Sequence, residues 1–169
     1  MSAVMNHKPC FRSCVCVAAL ALLAAGAAAQ SGAVDKLHCQ NVGSAAPEAL
    51  GDREGHALAV SHISCRVEGG AMDGGILTGT TISEWDKGQA TVLSGVGVTR
   101  KPGAVTVYQH TEGKISMVMS DGKPSGITGS GRGRMTMASG NAAPMAGRSY
   151  SFTFRTTAPN QFVVDVKFD

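Results

Sequence analysis

The chain has 169 residues, a formal net charge of +3 and a composition that is 43% hydrophobic, 16% charged and 5% aromatic. The length fits a single domain, and the apolar fraction excludes a fully disordered chain. The charge is too small to indicate a nucleic-acid partner.

Residues 1–29 have the order of a secretory signal peptide. Lys8 and Arg12 precede an apolar run over residues 15–25, and three alanines follow at 27–29. A positive segment, a short apolar run and a small-residue cleavage site are typical of such signals, and the run is short for a membrane span. We therefore expect cleavage after Ala29, export to the periplasm or the extracellular space, and a mature chain without membrane contact. Loss of Lys8 and Arg12 would lower the net charge to +1.

Cys39 and Cys65 are the cysteines that remain after the signal peptide. In an oxidising compartment, two cysteines most simply form one disulfide bond. The alternative is a zinc site built from His38, Cys39, His62 and Cys65. Neighbouring residues of a strand point to opposite faces, so His38 and Cys39 are poorly placed to bind the same ion. The disulfide is the main prediction.

The mature chain consists of short β-type segments separated by turn residues. Residues 56–67 show no helical stripe and suit a long, half-buried strand, whereas the preceding residues 43–55 contain Pro47 and read as a loop. The turns are rich in Gly, Asp and Pro, and Glu112-Gly113 predicts a hairpin. Strands are predicted over residues 36–42, 56–67, 76–82, 89–100, 104–111, 114–119, 132–138, 148–156 and 162–168.

Short links between strands and the absence of a convincing helix predict an all-β fold. Strands that follow one another at short intervals form an antiparallel meander, and closing it removes the exposed sheet edges. We expect a single antiparallel up-and-down barrel of about eight strands, which encloses side chains or one small ligand. The predicted divisions are a signal peptide at 1–29, an N-terminal strand and loop at 30–55, and the barrel at 56–169.

Three segments give the chain a resemblance to a known group of barrels. They are the run Asp52-Arg53-Glu54-Gly55-His56-Ala57-Leu58 before a strand ending in Cys65, the glycine-rich segment from Gly126 to Gly133, and Arg148-Ser149-Tyr150-Ser151-Phe152-Thr153. Over residues 51–169 the chain resembles small exported bacterial proteins related to the allene oxide cyclase and dirigent barrels, in which a G-x-x-G-x-G turn feeds the next strand. Residues 119–124 depart from the group's usual Gly-Thr-Gly. The resemblance implies an eight-stranded barrel with a central cavity and no cofactor, and it carries over no active-site residue.

Methionine pairs supply a candidate metal site. Met117 and Met119, and likewise Met135 and Met137, form Met-x-Met pairs that place two thioethers on one face of a strand. Together with His110, four such sulfurs would suit Cu(I). The simpler interpretation is that the methionines fill the barrel interior. The core role is the expectation and the copper site is the alternative.

Histidines and carboxylates supply a candidate for catalysis. His62 lies in register with Leu58 and Val60, and His110 lies in register with Thr106 and Tyr108. Glu84 and Asp86 flank the single tryptophan at a strand end. An imidazole and a carboxylate facing a dry cavity can move protons without a cofactor, as an isomerase or cyclase requires. The chain has no G-x-S-x-G and no H-E-x-x-H motif. The sequence leaves binding and catalysis both open.

The leading hypothesis is non-covalent binding of a small apolar or amphipathic molecule in the barrel cavity. Neither a metal nor a cofactor is expected, and the sequence gives no indication of the oligomeric state. The predicted cavity lining is Leu58, Val60, His62, Val105, Val107, Met117, Met119, Met135 and Met137.

Overall fold

The computed structural model describes residues 34–169, so the predicted signal peptide at 1–29 lies outside the described part of the chain. Within that part the fold is all-β, with one 3₁₀ turn at Ala143–Met145, and no helix there is long and apolar enough to cross a membrane. The nine strands are β1 (Val34–Asn41), β2 (Glu48–Ala49), β3 (His56–Glu68), β4 (Ile76–Asp86), β5 (Gln89–Lys101), β6 (Ala104–Ser120), β7 (Lys123–Gly140), β8 (Ser149–Ala158) and β9 (Gln161–Phe168).

Eight of these strands close into an antiparallel barrel. Strands β3 to β9 pair in chain order, and β1 lies between β9 and β3, antiparallel to both. The remaining strand, β2, has only two residues. It pairs with Ala57 and Leu58 of β3, which β1 does not reach. The predicted all-β up-and-down barrel of about eight strands is confirmed. Its wall begins at β1, ahead of the boundary predicted at residue 56.

The disulfide bond ties the closing strand to the barrel. Cys39 of β1 and Cys65 of β3 are directly opposite each other in the antiparallel register, and their sulfur atoms are bonded. Both side chains are buried and belong to the main hydrophobic core. The predicted disulfide is therefore present, and because it consumes both thiols the alternative zinc site is wrong.

Residues 104–120 form one strand where the sequence predicted two strands and a hairpin. Strand β6 runs without a break for 17 residues and pairs along its length with β7. Gly113 is paired with Gly131, and its φ angle is not in the positive range that a tight hairpin turn requires. The hairpin at Glu112-Gly113 is thus wrong because the backbone there stays extended.

The glycine-rich segment at 126–133 lies inside β7, whereas the family resemblance implied a turn. Gly129, Gly131 and Gly133 pair with Phe154, Phe152 and Tyr150 of β8. All three are strand residues of β7, and none has a positive φ angle. The absence of side chains here makes room inside the barrel, as described below.

Candidate ligand cavity

The barrel encloses a cavity of about 830 Å³. This volume falls within the range of small-molecule pockets. The mouth lies at the end where β1 leaves for β2 and where β6 turns into β7 and β8 into β9, since Pro47, Pro124 and Asn160 line it there. The opposite end is filled by the buried side chains of Met72, Ala142 and Met145. The cavity is therefore a one-ended chamber.

Inward-facing glycines seat a layer of aromatic side chains against the barrel wall. A Cβ atom at any of these glycines would overlap an aromatic side chain from the neighbouring strand or, at Gly79, from the next strand but one. The rings thus lie close to the backbone, and the centre of the barrel stays open. Gly79 and Gly97 face Tyr108, Gly95 faces His110, Gly129 faces Phe154, Gly131 faces Phe152, and Gly133 faces Tyr150.

His110 is the titratable imidazole of the cavity. Its Nδ1 lies 3.0 Å from the hydroxyl oxygen of Tyr150, and its ring centroid lies 4.5 Å from that of Phe152. Burial lowers the pKa of His110 to about 4, since few polar groups are available to solvate a cation there. The side chain is therefore neutral at pH 7.

Two tyrosines share this environment. Burial raises the pKa of Tyr108 to about 12, and it raises the pKa of Tyr150 as well, with a smaller contribution from the neighbouring Tyr108. Both hydroxyls stay protonated at neutral pH. The centroids of the Tyr108 and His110 rings are 5.1 Å apart, so the three polar side chains form one group in the deeper part of the cavity.

The part of the cavity nearer the mouth is mainly apolar. Trp85 is buried there, and its indole N–H donates a hydrogen bond to the hydroxyl of Ser83 over 3.1 Å. Ala59, Ala90 and Ile115 pack with Trp85 in a second core cluster. Among the described residues, the lining contains no Lys, Arg, Asp or Glu side chain. A ligand in this chamber would meet apolar surface and neutral hydrogen-bonding groups.

Two of the nine predicted lining residues are in the cavity wall, Met117 and Met135. The other seven are not. On β3 the inward side chains are Ala59, Ser61 and Ile63, so the alternate residues face outward. The small side chain of Ala59 leaves room for the Trp85 indole, which explains why the bulkier face of β3 lies outside. The prediction is corrected for Leu58, Val60, His62, Val105, Val107, Met119 and Met137.

The four methionines do not share one patch. Met135 is buried in the core, whereas Met137 is 62% exposed. The register between β6 and β7 shifts at this point, because Val107 pairs with Met137 while the next residue, Tyr108, pairs with Met135. Thr136 is the extra residue of a β-bulge that turns the two methionines to opposite faces. Met119 is likewise exposed at the end of β6.

Glu84 lies outside the barrel in a charged cluster around His56. His56 is buried, with Nδ1 bonded to the carboxylate of Asp52 and Nε2 2.8 Å from Glu84 Oε1. Arg53 lies within 4.0 Å of Asp52, Glu84 and Asp86. The hydrogen bonds to Asp52 and then to Glu84 raise the pKa of His56. The candidate arrangement in which Glu84 or Asp86 joins an imidazole inside the cavity is therefore not formed.

His62 is exposed on the outer face, where its Nδ1 lies 2.9 Å from the Thr80 hydroxyl oxygen. Residues 34–169 contain no group of three or more His, Cys, Asp or Glu side chains with the geometry of a metal site. Of the polar residues considered for chemistry, only His110 lies in the cavity.

Sequence reasoning missed the residues that accompany His110. Tyr150, Phe152 and Phe154 follow one another with a period of two, and glycines alternate in the same way over 129–133. On paired strands, that combination of alternating rings and alternating glycines could have identified the inward faces of β7 and β8.

Comparisons of the chain with models of known protein families, with curated proteins and with solved structures found no match.

Proposed function

We propose that the protein binds one small apolar or amphipathic molecule in the barrel cavity. The observation that carries this proposal is the 830 Å³ chamber, which is closed at one end by Met72 and Met145 and open at the other. A barrel that served only as a scaffold would gain stability by filling this volume with side chains, because unfilled apolar space weakens packing. Retaining the space is instead expected of a binding protein.

The disulfide bond supports a location outside the cytoplasm. Cys39 and Cys65 are bonded in the barrel wall, and such bonds persist in oxidising compartments. Together with the predicted signal peptide, this leads us to propose a periplasmic or extracellular location. The resemblance to allene oxide cyclase and dirigent barrels agrees with this proposal and with the cavity.

Trp85 provides a direct test of binding. It is the only tryptophan in the chain and it lines the cavity. The neutral dye N-phenyl-1-naphthylamine should quench Trp85 emission on binding, with its own emission rising at the same concentrations and a stoichiometry of one. Absence of saturable quenching at dye concentrations up to its solubility limit would contradict a ligand-binding cavity.

A matched pair of variants places the bound dye. Ser61 faces the cavity, and His62, the next residue of β3, faces outward and is exposed. Ser61→Phe should weaken dye binding by at least tenfold because the ring occupies the chamber, whereas His62→Phe should bind like the wild type. Equal affinities for the two variants would show that the dye binds elsewhere. Circular dichroism of both variants checks that the barrel is intact.

The second candidate function is a cofactor-free isomerase or cyclase. The observation that favours it is the imidazole of His110 beside Tyr108 and Tyr150 in a largely apolar chamber. In one tautomer the cavity-facing nitrogen accepts a proton, so it could remove a proton from the carbon next to a ligand carbonyl and return it at another carbon. The ligand would be isomerised with no net gain or loss of atoms.

Deuterium exchange tests this candidate. The carbon-bound protons next to the carbonyl of a β,γ-unsaturated ketone should exchange in D₂O faster with the wild-type protein than with His110→Phe. NMR follows both the exchange and any shift of the double bond. Rates equal to that of buffer alone would leave binding as the function.

A further inference from the structure

The polar group in the deeper part of the cavity indicates which ligands fit best, and this inference rests on the proposed binding function. Three side chains there each carry one hydrogen on nitrogen or oxygen: Tyr108, Tyr150 and the neutral His110 imidazole. The bond between Tyr150 and His110 uses one of these hydrogens. Two hydrogens remain in either tautomer of the imidazole, because the bond consumes one donor whichever partner donates.

The remaining donors have no acceptor among residues 34–169. The Tyr108 hydroxyl makes no hydrogen bond with a described residue, and His110 makes only the bond to Tyr150. No described buried side-chain polar atom is sealed from solvent without a partner. The unused positions on His110 and Tyr108 are therefore open to the chamber, where a bound molecule can reach them.

The charge of the cavity lining further limits the chemical class of the ligand. Among described residues, the lining has no basic side chain to pair with a carboxylate and no acidic side chain to pair with an ammonium group. An ion moved from water into such a site loses its hydration without gaining a counterion. An uncharged oxygen such as that of a ketone, ester or aldehyde accepts a hydrogen bond at much lower desolvation cost.

We infer that the cavity selects an uncharged apolar molecule whose carbonyl oxygen accepts a hydrogen bond from His110 or Tyr108. The apolar part of the molecule then lies toward the mouth, along Ile115, Met117 and Phe162. The amide side chains of Asn41 and Asn160 at the mouth remain near water.

Three probes of equal chain length test the inference by displacement of N-phenyl-1-naphthylamine at pH 8. They are decan-2-one, decanoate and decane. The ketone should bind at least tenfold more tightly than decanoate, and more tightly than decane. The inference would be overturned if decanoate bound as tightly as the ketone, or if decane did.

Variants assign the preference to the proposed donors. Tyr108→Phe removes one free donor and keeps an aromatic ring. The double variant His110→Phe with Tyr150→Phe removes the other free donor, because His110→Phe alone would release the Tyr150 hydroxyl from its bond. Each should reduce the advantage of the ketone over decane by about fivefold or more, because one hydrogen bond is lost. The exposed His62→Phe should leave that advantage unchanged. An unchanged advantage in both cavity variants would overturn the inference even if one of them folds poorly, since the other still reports.

The proposed function and this inference fail in different ways. If none of the three probes displaces the dye, or the dye itself does not bind, the binding function is wrong. If decane, decanoate and the ketone compete equally, the cavity binds apolar chains and only the carbonyl preference is wrong.

Discussion

The Tyr150 hydroxyl reaches Nδ1 of His110 across the strand that separates them. Tyr150 lies on β8 and His110 on β6, and in the register of the sheet both are paired with Gly133 of β7. The 3.0 Å contact is possible because Gly133 has no side chain. A residue with no functional group thus determines whether two cavity side chains meet.

Gly133→Ala should therefore destabilise the barrel. The added methyl group would overlap the Tyr150 ring and hydroxyl, and overpacking of this kind costs about 1–3 kcal/mol. Ser130→Ala, at an exposed position of the same strand, is the matched control and should change stability by less than about 0.5 kcal/mol. Urea unfolding followed by Trp85 fluorescence measures both. Equal urea midpoints for the two variants would contradict the close packing of Tyr150 against Gly133.

Acid should destabilise the protein through His110. Its pKa is about 4 in the folded protein and 6.5 when exposed, so between these values the unfolded chain binds the proton more strongly. The stabilisation is complete above pH 6.5 and is lost as the pH falls toward 4. The shift corresponds to about 3 kcal/mol.

The comparison with His110→Phe isolates this contribution. The free energy of unfolding should decrease more between pH 7 and pH 4 in the wild type than in the variant, because the phenyl ring does not titrate. Carboxylates contribute to the pH dependence of both proteins and cancel in the difference. Parallel pH profiles would mean that His110 is solvated well enough to be protonated in place.

The strands and turns could be predicted from the sequence because their signals are local. Alternating residues and Gly-, Asp- and Pro-rich turns gave the antiparallel barrel, and the two mature cysteines gave the disulfide that joins β1 to β3. The hairpin at residues 112–113 failed because a glycine in an extended strand and a glycine in a turn look alike in sequence. Only the neighbouring strand β7 determines that Gly113 is paired.

The inward faces were harder to predict because bulges change the alternation within a strand. On β6, Tyr108 and His110 face inward at even positions, whereas Ile115 and Met117 face inward at odd positions. Thr111 is the unpaired residue between the two halves. A strict period of two cannot place both halves inside, and bulges arise from closure of the whole barrel. A bulge of this kind, at Thr136, also took from Met135 and Met137 the common face that their spacing predicted.

His56 should make the protein less stable at alkaline pH. Its bonds to Asp52 and Glu84 raise its pKa above the usual 6.5, so the folded protein holds the proton more strongly than the unfolded chain does. The stabilisation is present below pH 6.5 and is lost as the pH rises through the folded pKa. This stabilisation also requires that Asp52 is ionised. The pKa of Asp52 is lowered, and the main cause is its hydrogen bond to His56.

The measurement is the urea midpoint at pH 6 and pH 9. The wild type should lose stability over this interval, and His56→Gln should lose less, since glutamine does not titrate. His62→Gln changes an exposed histidine on the same strand and should follow the wild type. An identical loss in His56→Gln would show that the Asp52–His56–Glu84 cluster does not carry the effect.

Reduction of the disulfide should loosen the barrel at its closing strand. Cys39 and Cys65 lie 26 residues apart in sequence, and closing a loop of this size stabilises the fold by about 3 kcal/mol through the entropy of the unfolded chain. The wild-type urea midpoint should fall on addition of a phosphine reductant, while the double variant Cys39→Ala and Cys65→Ala should not respond to it. Because β1 also pairs with β9 over seven residues, the reduced barrel should still fold and bind dye. A reduced protein that loses dye binding while it keeps its circular dichroism would show that the disulfide, and not the strand pairing, holds the cavity in shape.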